Sequence, residues 1–71
     1  MTIEEMMALC EAHGCYWSLK CESLVMDEYL CEIFSMQELK MLGKAIAKTP
    51  AAAFTAALWQ TDILNNNSHP R

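Results

Sequence analysis

Cysteine and histidine are the residues of this 71-residue chain whose spacing could support metal or redox chemistry. Cys10 and His13 are three residues apart, which places them on one side of a helix, and Cys15 follows two residues later. Zinc sites usually present two cysteines from one close Cys-x-x-Cys turn, and this chain has no such pair. We therefore expect no metal ligands and no cofactor. The alternative function is a thiol-dependent metal-binding or redox protein that uses Cys10, His13 and Cys15.

A cross-strand disulfide is the second thiol chemistry to consider. Cys21 and Cys31 face one another if the two strands predicted below turn near Met26. The neighbouring carboxylates of Glu22 and Glu32 disfavour a thiolate at either position. Because the sequence carries no export signal, we expect reduced, mostly buried cysteines.

Acid–base catalysis needs carboxylates or histidines that converge in a pocket. The carboxylates fall mainly at predicted helix caps, turns and solvent faces, His13 ends a helix, and His69 is near the C-terminus. The only glycines are Gly14 and Gly43, so there is no glycine-rich phosphate loop. We expect no catalytic residues and no enzymatic activity.

The first predicted element is a helix that begins after Thr2 and runs to about His13. Thr2 and Glu5 have the spacing of a capping box, and Gly14 supplies the left-handed conformation that ends helices. Apolar and polar residues then alternate over residues 15–22 and again over residues 28–34, which predicts an antiparallel hairpin. In this hairpin Leu19 lies opposite Ile33.

Ser35 and Glu38 repeat the capping-box spacing and predict a second helix over residues 36–47. Thr49 and Pro50 predict the start of an alanine-rich third helix. The fold class is therefore α+β, a two-stranded antiparallel hairpin packed against two to three helices in the order α-β-β-α-α. We expect a single domain over residues 1–64 and a flexible polar tail over residues 65–71.

Composition narrows the class of partner. The formal charge of −4 and the pI near 4.9 disfavour nucleic acid and anionic membranes, which bind basic surfaces. No apolar run approaches the roughly 18 residues needed to span a bilayer, and the start, MTIEEMM, lacks the pattern of a signal peptide. We expect a cytoplasmic protein.

Charge is divided unevenly along the chain. Residues 1–38 hold eight acidic residues and one lysine (−7), whereas residues 39–71 hold one acidic residue and four basic ones (+3), which together give −4. Lys40, Lys44 and Lys48 recur every four residues and would form one ridge along the predicted second helix. That ridge is either a solvated face or a contact for an acidic patch, including the acidic half of a second copy.

A two-stranded hairpin covered by helices on one side keeps its other side and both edges open. Pairing of two hairpins edge to edge, or a strand borrowed from a partner, would satisfy those edges. We therefore predict a protein-binding regulator, inhibitor or adaptor that self-associates, with another protein or a second copy as its partner. The predicted partner-binding residues are Tyr16, Leu24, Val25, Met26, Leu30 and Trp59.

Two segments, GCYWSLKCE in the first strand and TPAAAFTAAL over Thr49–Leu58, resemble small uncharacterised α-β-β-α proteins of phage, prophage and cyanobacterial type. The resemblance covers about half of the chain and consists of helix-capping and packing positions. This chain departs from the pattern in lacking a glycine-rich hairpin turn and in the predicted helix between Ser35 and Lys48. The resemblance implies the fold and a host-interaction or regulatory role.

Overall fold

The computed structural model describes residues 1–63 and has an α+β fold with the element order α-β-β-β-α. Its elements are α1 (Ile3–Ala12), β1 (Cys15–Ser23), β2 (Glu28–Ser35), β3 (Lys40–Ala47) and α2 (Pro50–Trp59). The strands form one antiparallel sheet in the order β1-β2-β3. The α+β class is confirmed, with three strands in place of the predicted two. The predicted tail, residues 65–71, lies outside the described residues.

Both predicted helix starts are formed by the expected caps. The Glu5 N–H donates to the Thr2 hydroxyl at 3.1 Å, and the Thr2 N–H donates to the Glu5 carboxylate at 2.7 Å. This second bond lowers the pKa of Glu5, because it stabilises the ionised carboxylate. At α2 the Ala52 N–H donates to the Thr49 hydroxyl at 3.1 Å. Each helix thus has donors of its first turn satisfied by a side chain.

The prediction of a helix over residues 36–47 is wrong. The Glu38 N–H does donate to the Ser35 hydroxyl at 3.0 Å, and the Leu39 N–H donates to the Ser35 carbonyl at 2.8 Å. The capping signal therefore forms one turn only, since Leu39 has a φ of 55°, which ends it. From Lys40 the chain is extended and pairs with β2.

The predicted hairpin register is also wrong, by two residues. Leu19 lies opposite Cys31 and not Ile33, and Cys21 lies opposite Tyr29 and not Cys31. Because side chains alternate with a period of two, a two-residue shift leaves every side chain on its predicted face.

The core lies between the helices and one face of the sheet, which we call the helix face. It contains fully buried side chains from α1, from the central strand β2 and from α2. The largest of these are Met6, Cys10, Cys31, Ile33, Phe54 and Leu58. Trp17 on β1 packs against Phe54 with ring centroids 5.8 Å apart. Each large apolar side chain buried in this way contributes about 1.5–3 kcal/mol to the free energy of unfolding.

Helix α2 lies so close to β3 that one position requires glycine. A Cβ atom at Gly43 would lie 2.3 Å from the Ala57 carbonyl oxygen and 3.2 Å from the Thr61 side chain. The absence of a side chain at Gly43 therefore lets the backbone of α2 lie directly on the sheet.

The outer edge of β3 is blocked at its middle, at Lys44, by a side chain. The Gln60 amide accepts a hydrogen bond from the Lys44 N–H at 3.1 Å and donates one to the Lys44 carbonyl at 2.7 Å. It thereby occupies backbone groups to which another strand would bind.

Both helices have ten residues. Within residues 1–63, no helix has the length and apolar character needed to cross a membrane.

The close approach at Gly43 predicts a large effect of a single methyl group. We expect Gly43→Ala to reduce the free energy of unfolding by about 3 kcal/mol, because the Ala57 backbone can move only with α2. Gly14→Ala is the comparison: its φ is 70°, but nothing lies within 4 Å of an added Cβ, so only the conformational cost of about 1 kcal/mol applies. Urea unfolding of both variants measures the difference. Equal losses would contradict the steric role of Gly43.

Candidate protein-binding surface

The face of the sheet opposite the helices, which we call the open face, carries three rows of side chains. The strand register defines them. Read from β1 to β3, the rows are Tyr16, Phe34 and Met41; Ser18, Glu32 and Lys44; and Lys20, Leu30 and Ile46. The two outer rows are largely apolar, and the middle row is polar with one charge of each sign.

One end of the open face is aromatic. The rings of Tyr16 and Phe34 are stacked, with centroids 5.0 Å apart and planes at 15°. Tyr16 is 47% exposed, and Met41 in the same row is exposed as well. Met36 and Leu39, in the adjoining β2–β3 turn, are also exposed. We call these five residues the aromatic end, and they form an apolar area on one side of the polar row.

The opposite end of the open face leads to the turn between β1 and β2. Leu24, Val25 and Met26, which we call the hairpin tip, are all exposed, and Val25 is 92% exposed. The ammonium of Lys48 donates to the Met26 carbonyl at 2.9 Å. This bond links the hairpin tip to the segment that leads from β3 into α2.

The six predicted partner-binding residues do not lie in one place. Tyr16 and Leu30 share the open face, but Leu30 is only 6% exposed. Its neighbours across the strands, Lys20 and Ile46, flank it. Trp59 is exposed on α2, in the helix layer on the other side of the sheet. The predicted residues thus divide among the open face, the hairpin tip and the helix layer.

The predicted partner-binding residues omit two exposed residues of the open face, Met41 and Ile46. They lie on β3, which was predicted to be helical. One signal against that helix was present: Gly43 in its middle costs a helix about 1 kcal/mol relative to alanine.

The predicted lysine ridge is not formed, because β3 is a strand with a bulge opposite Ile33 and Phe34. The bulge places Lys40 and Lys44 on opposite faces. Lys40 forms an ion pair with Glu38 at 3.4 Å, Lys44 belongs to the open face, and Lys48 contacts the hairpin tip.

The cysteines are free, and three of the four, Cys10, Cys15 and Cys31, are buried. Burial raises the pKa of Cys10 to about 11 and that of Cys31 to about 12. Burial, and secondarily the charge of Glu38, also raises the pKa of Cys15. Protonated thiols are weak nucleophiles and weak metal ligands.

Two of the three residues of the alternative metal site border a cavity of about 200 Å³. His13 and Cys15 line it together with Glu38 and Asp62, whereas Cys10 lies in the core. The Cys15 thiol donates to the His13 carbonyl at 3.7 Å. In the described part of the chain, no group of three or more His, Cys, Asp or Glu residues is placed to hold a metal ion.

Comparison of the chain with protein-family models, curated proteins and solved structures finds no match.

The burial of the thiols predicts their reactivity. In native protein we expect the exposed Cys21 to react rapidly with a disulfide reagent and the other three thiols to react only after unfolding. The number of thiols that react in the fast phase, before and after addition of guanidinium, tests this. Cys21→Ala should abolish the fast phase. A fast phase of two or more thiols would contradict the burial of the others.

The raised thiol pKa values also predict a loss of stability at high pH. From an ordinary value of 9.0 the pKa rises on folding to about 11 for Cys10 and about 12 for Cys31. Folding therefore favours the protonated thiols, so their contribution is complete below pH 9 and is lost as the pH rises from 9 toward 12.

We expect the free energy of unfolding, measured in urea at steps above pH 9, to fall less steeply in Cys31→Ala than in wild type. Cys21→Ala, which removes an exposed thiol, should keep the wild-type slope. Equal slopes in all three proteins would exclude the Cys31 thiol as a cause.

Proposed function

We propose that this chain is a small, cytoplasmic, non-enzymatic protein-binding regulator, inhibitor or adaptor that binds its partner through the open face and also self-associates. The main observation in support is the concentration of exposed apolar side chains on and beside the open face. Within residues 1–63 ten large apolar side chains are exposed, and eight of them lie on the open face or in the two turns that adjoin it. Scattered exposed apolar residues are ordinary, but their concentration at the two ends of one face is typical of an interaction surface.

The aromatic end is the strongest candidate for an energetic centre of the interface. Tyr16 and Phe34 hold each other in place by stacking, so little conformational freedom is lost when a partner covers them. Aromatic residues in the middle of an interface commonly carry much of the binding free energy. The flexible side chains of Met36 and Met41 beside them can adapt to the partner's shape.

The polar row supplies orientation. Glu32 and Lys44 lie opposite one another across β2 and β3, flanked by apolar rows. A partner must present groups of matching charge to both, and this requirement favours one binding orientation over others. The net charge of −4 favours a protein partner over nucleic acid or an anionic membrane.

Two further considerations support binding over catalysis. The buried thiols have raised pKa values, so they are poor nucleophiles. The resemblance of GCYWSLKCE and TPAAAFTAAL to small phage-type proteins points to the same kind of regulatory role.

Ile46 and Trp59 provide a matched test, since they are 54% and 55% exposed on opposite layers of the molecule. We expect Ile46→Glu to weaken capture of a protein partner from a host lysate by tenfold or more, because a carboxylate on the open face would be buried without a partner. Trp59→Glu should retain capture.

The captured protein is then purified and titrated against both variants, with circular dichroism to verify that each is folded. Loss of binding in Trp59→Glu with full binding in Ile46→Glu would move the site to the helix layer. Equal binding by both variants would contradict a role for the open face.

A further inference from the structure

We propose that the outer edge of β1 pairs with the β1 strand of a second copy of this chain, so that two three-stranded sheets join into one six-stranded sheet. The inference rests on the proposed function, of which self-association is a part, and it names the surface and the occupant.

The alternation of hydrogen bonds along β1 shows which of its backbone N–H and C=O groups point away from β2 and can bind another strand. The Met36 N–H donates to the Gly14 carbonyl at 3.1 Å, which marks residues 14 and 36 as a hydrogen-bonded pair of the β1–β2 ladder. Bonded pairs alternate along an antiparallel ladder, so the even-numbered residues of β1 bond to β2. The odd-numbered residues point their N–H and C=O groups away from the sheet, and these residues are Cys15, Trp17, Leu19 and Cys21.

These outward groups have no hydrogen-bond partner among residues 1–63. The other edge of the sheet differs, since the Gln60 amide binds both backbone groups of Lys44 on β3. Exposed strand edges bind other strands unless they are covered. One edge of this sheet is therefore covered at its middle and the other is open.

The blocked middle of the β3 edge and the open edge of β1 together favour one form of assembly. When the same edge of two copies pairs about a two-fold axis, both open edges are used and assembly stops at a dimer. If both edges were open, sheets could add without limit. Coverage of β3 by Gln60 thus favours a closed dimer over a filament.

The sequence of β1 favours one register, with Ser18 on the two-fold axis. In that register Cys15 pairs with Cys21 of the second copy, and Trp17 pairs with Leu19 of the second copy. All four outward residues of each copy then form backbone hydrogen bonds, about eight in total. The pairing ends where β1 becomes irregular, between Cys21 and Ser23.

Side chains on the open face are compatible with the same register. Lys20 lies opposite Tyr16 of the second copy, where an ammonium can contact the aromatic face. A register centred on Lys20 would instead place two lysines opposite each other, which is unfavourable. The register centred on Ser18 also makes the open faces of the two copies continuous.

Proline at Cys21 tests the proposal, because the Cys21 N–H points outward and its side chain is exposed. Cys21→Pro removes a donor from the edge and none from the β1–β2 ladder. By sedimentation or light scattering we expect wild type and Cys21→Ser to be dimers, and Cys21→Pro to dissociate at least tenfold more readily. Circular dichroism verifies that Cys21→Pro is folded. A wild-type monomer at about 100 µM, or a folded Cys21→Pro that dimerises like wild type, would overturn the proposal.

Cross-linking tests the register without a destabilising change. Ser18 would form a non-hydrogen-bonded pair with itself across the axis, with Cα atoms about 4.5 Å apart, which suits a disulfide. In a Cys21→Ser background we expect Ser18→Cys to form a covalent dimer on mild oxidation. Lys44→Cys, in the same row at the far edge, should not. Cross-linking of Lys44→Cys alone would indicate face-to-face association and overturn edge pairing.

Partner binding through the open face and edge pairing of β1 can be disproved independently of each other. If the wild type is a monomer while Ile46→Glu still abolishes partner capture, edge pairing is wrong and the open-face function stands. If Cys21→Pro dissociates the dimer while Ile46→Glu leaves capture intact, the reverse holds.

Discussion

The pairing of β3 with β2 is the interaction on which the rest of the structure depends. It makes β2 a central strand, so that Cys31 and Ile33 become fully buried beneath the helices. It also brings Gly43 under α2, where the missing side chain lets the helix lie close to the sheet. Without β3, α2 would lose part of the surface on which it packs, and the open face would lose the side chains that β3 contributes to its three rows.

That pairing is also what the sequence could not reveal. The caps of α1 and α2 and the alternation of β1 and β2 are local signals, and each was read correctly. The Ser35 and Glu38 signal is equally local and does form a turn, but pairing with a distant strand decides the conformation after Leu39. A lysine spacing of four fits both a helix and a strand, so it could not discriminate between them. The face of the sheet on which each side chain of β1 and β2 lies was nevertheless predictable. A register error of two residues does not change it, because side chains alternate between the faces with a period of two.

The residues of the candidate site divide in the same way, between elements that local signals predict and the strand β3, which they do not predict. Tyr16 and the hairpin tip were identified because they lie on elements predicted correctly. Met41 and Ile46 were omitted because they lie on β3, which was predicted to be helical. Leu30 is less exposed than expected, because a third strand flanks it. Residues brought together by strand order, and not by sequence proximity, are the ones that single-sequence reasoning omits.

The placement of both helices on one face separates the side chains that stabilise the fold from the exposed side chains of the open face. A domain of this size buries a modest fraction of its surface, and here that burial is concentrated between the helices and one side of the sheet. The open face can therefore carry exposed aromatic and aliphatic side chains whose substitution leaves the core intact. Its apolar surface is costly in water at about 25 cal/mol per Å². A partner that covers this face would remove that cost and so stabilise the folded chain, which would couple the stability of the protein to the concentration of what it binds.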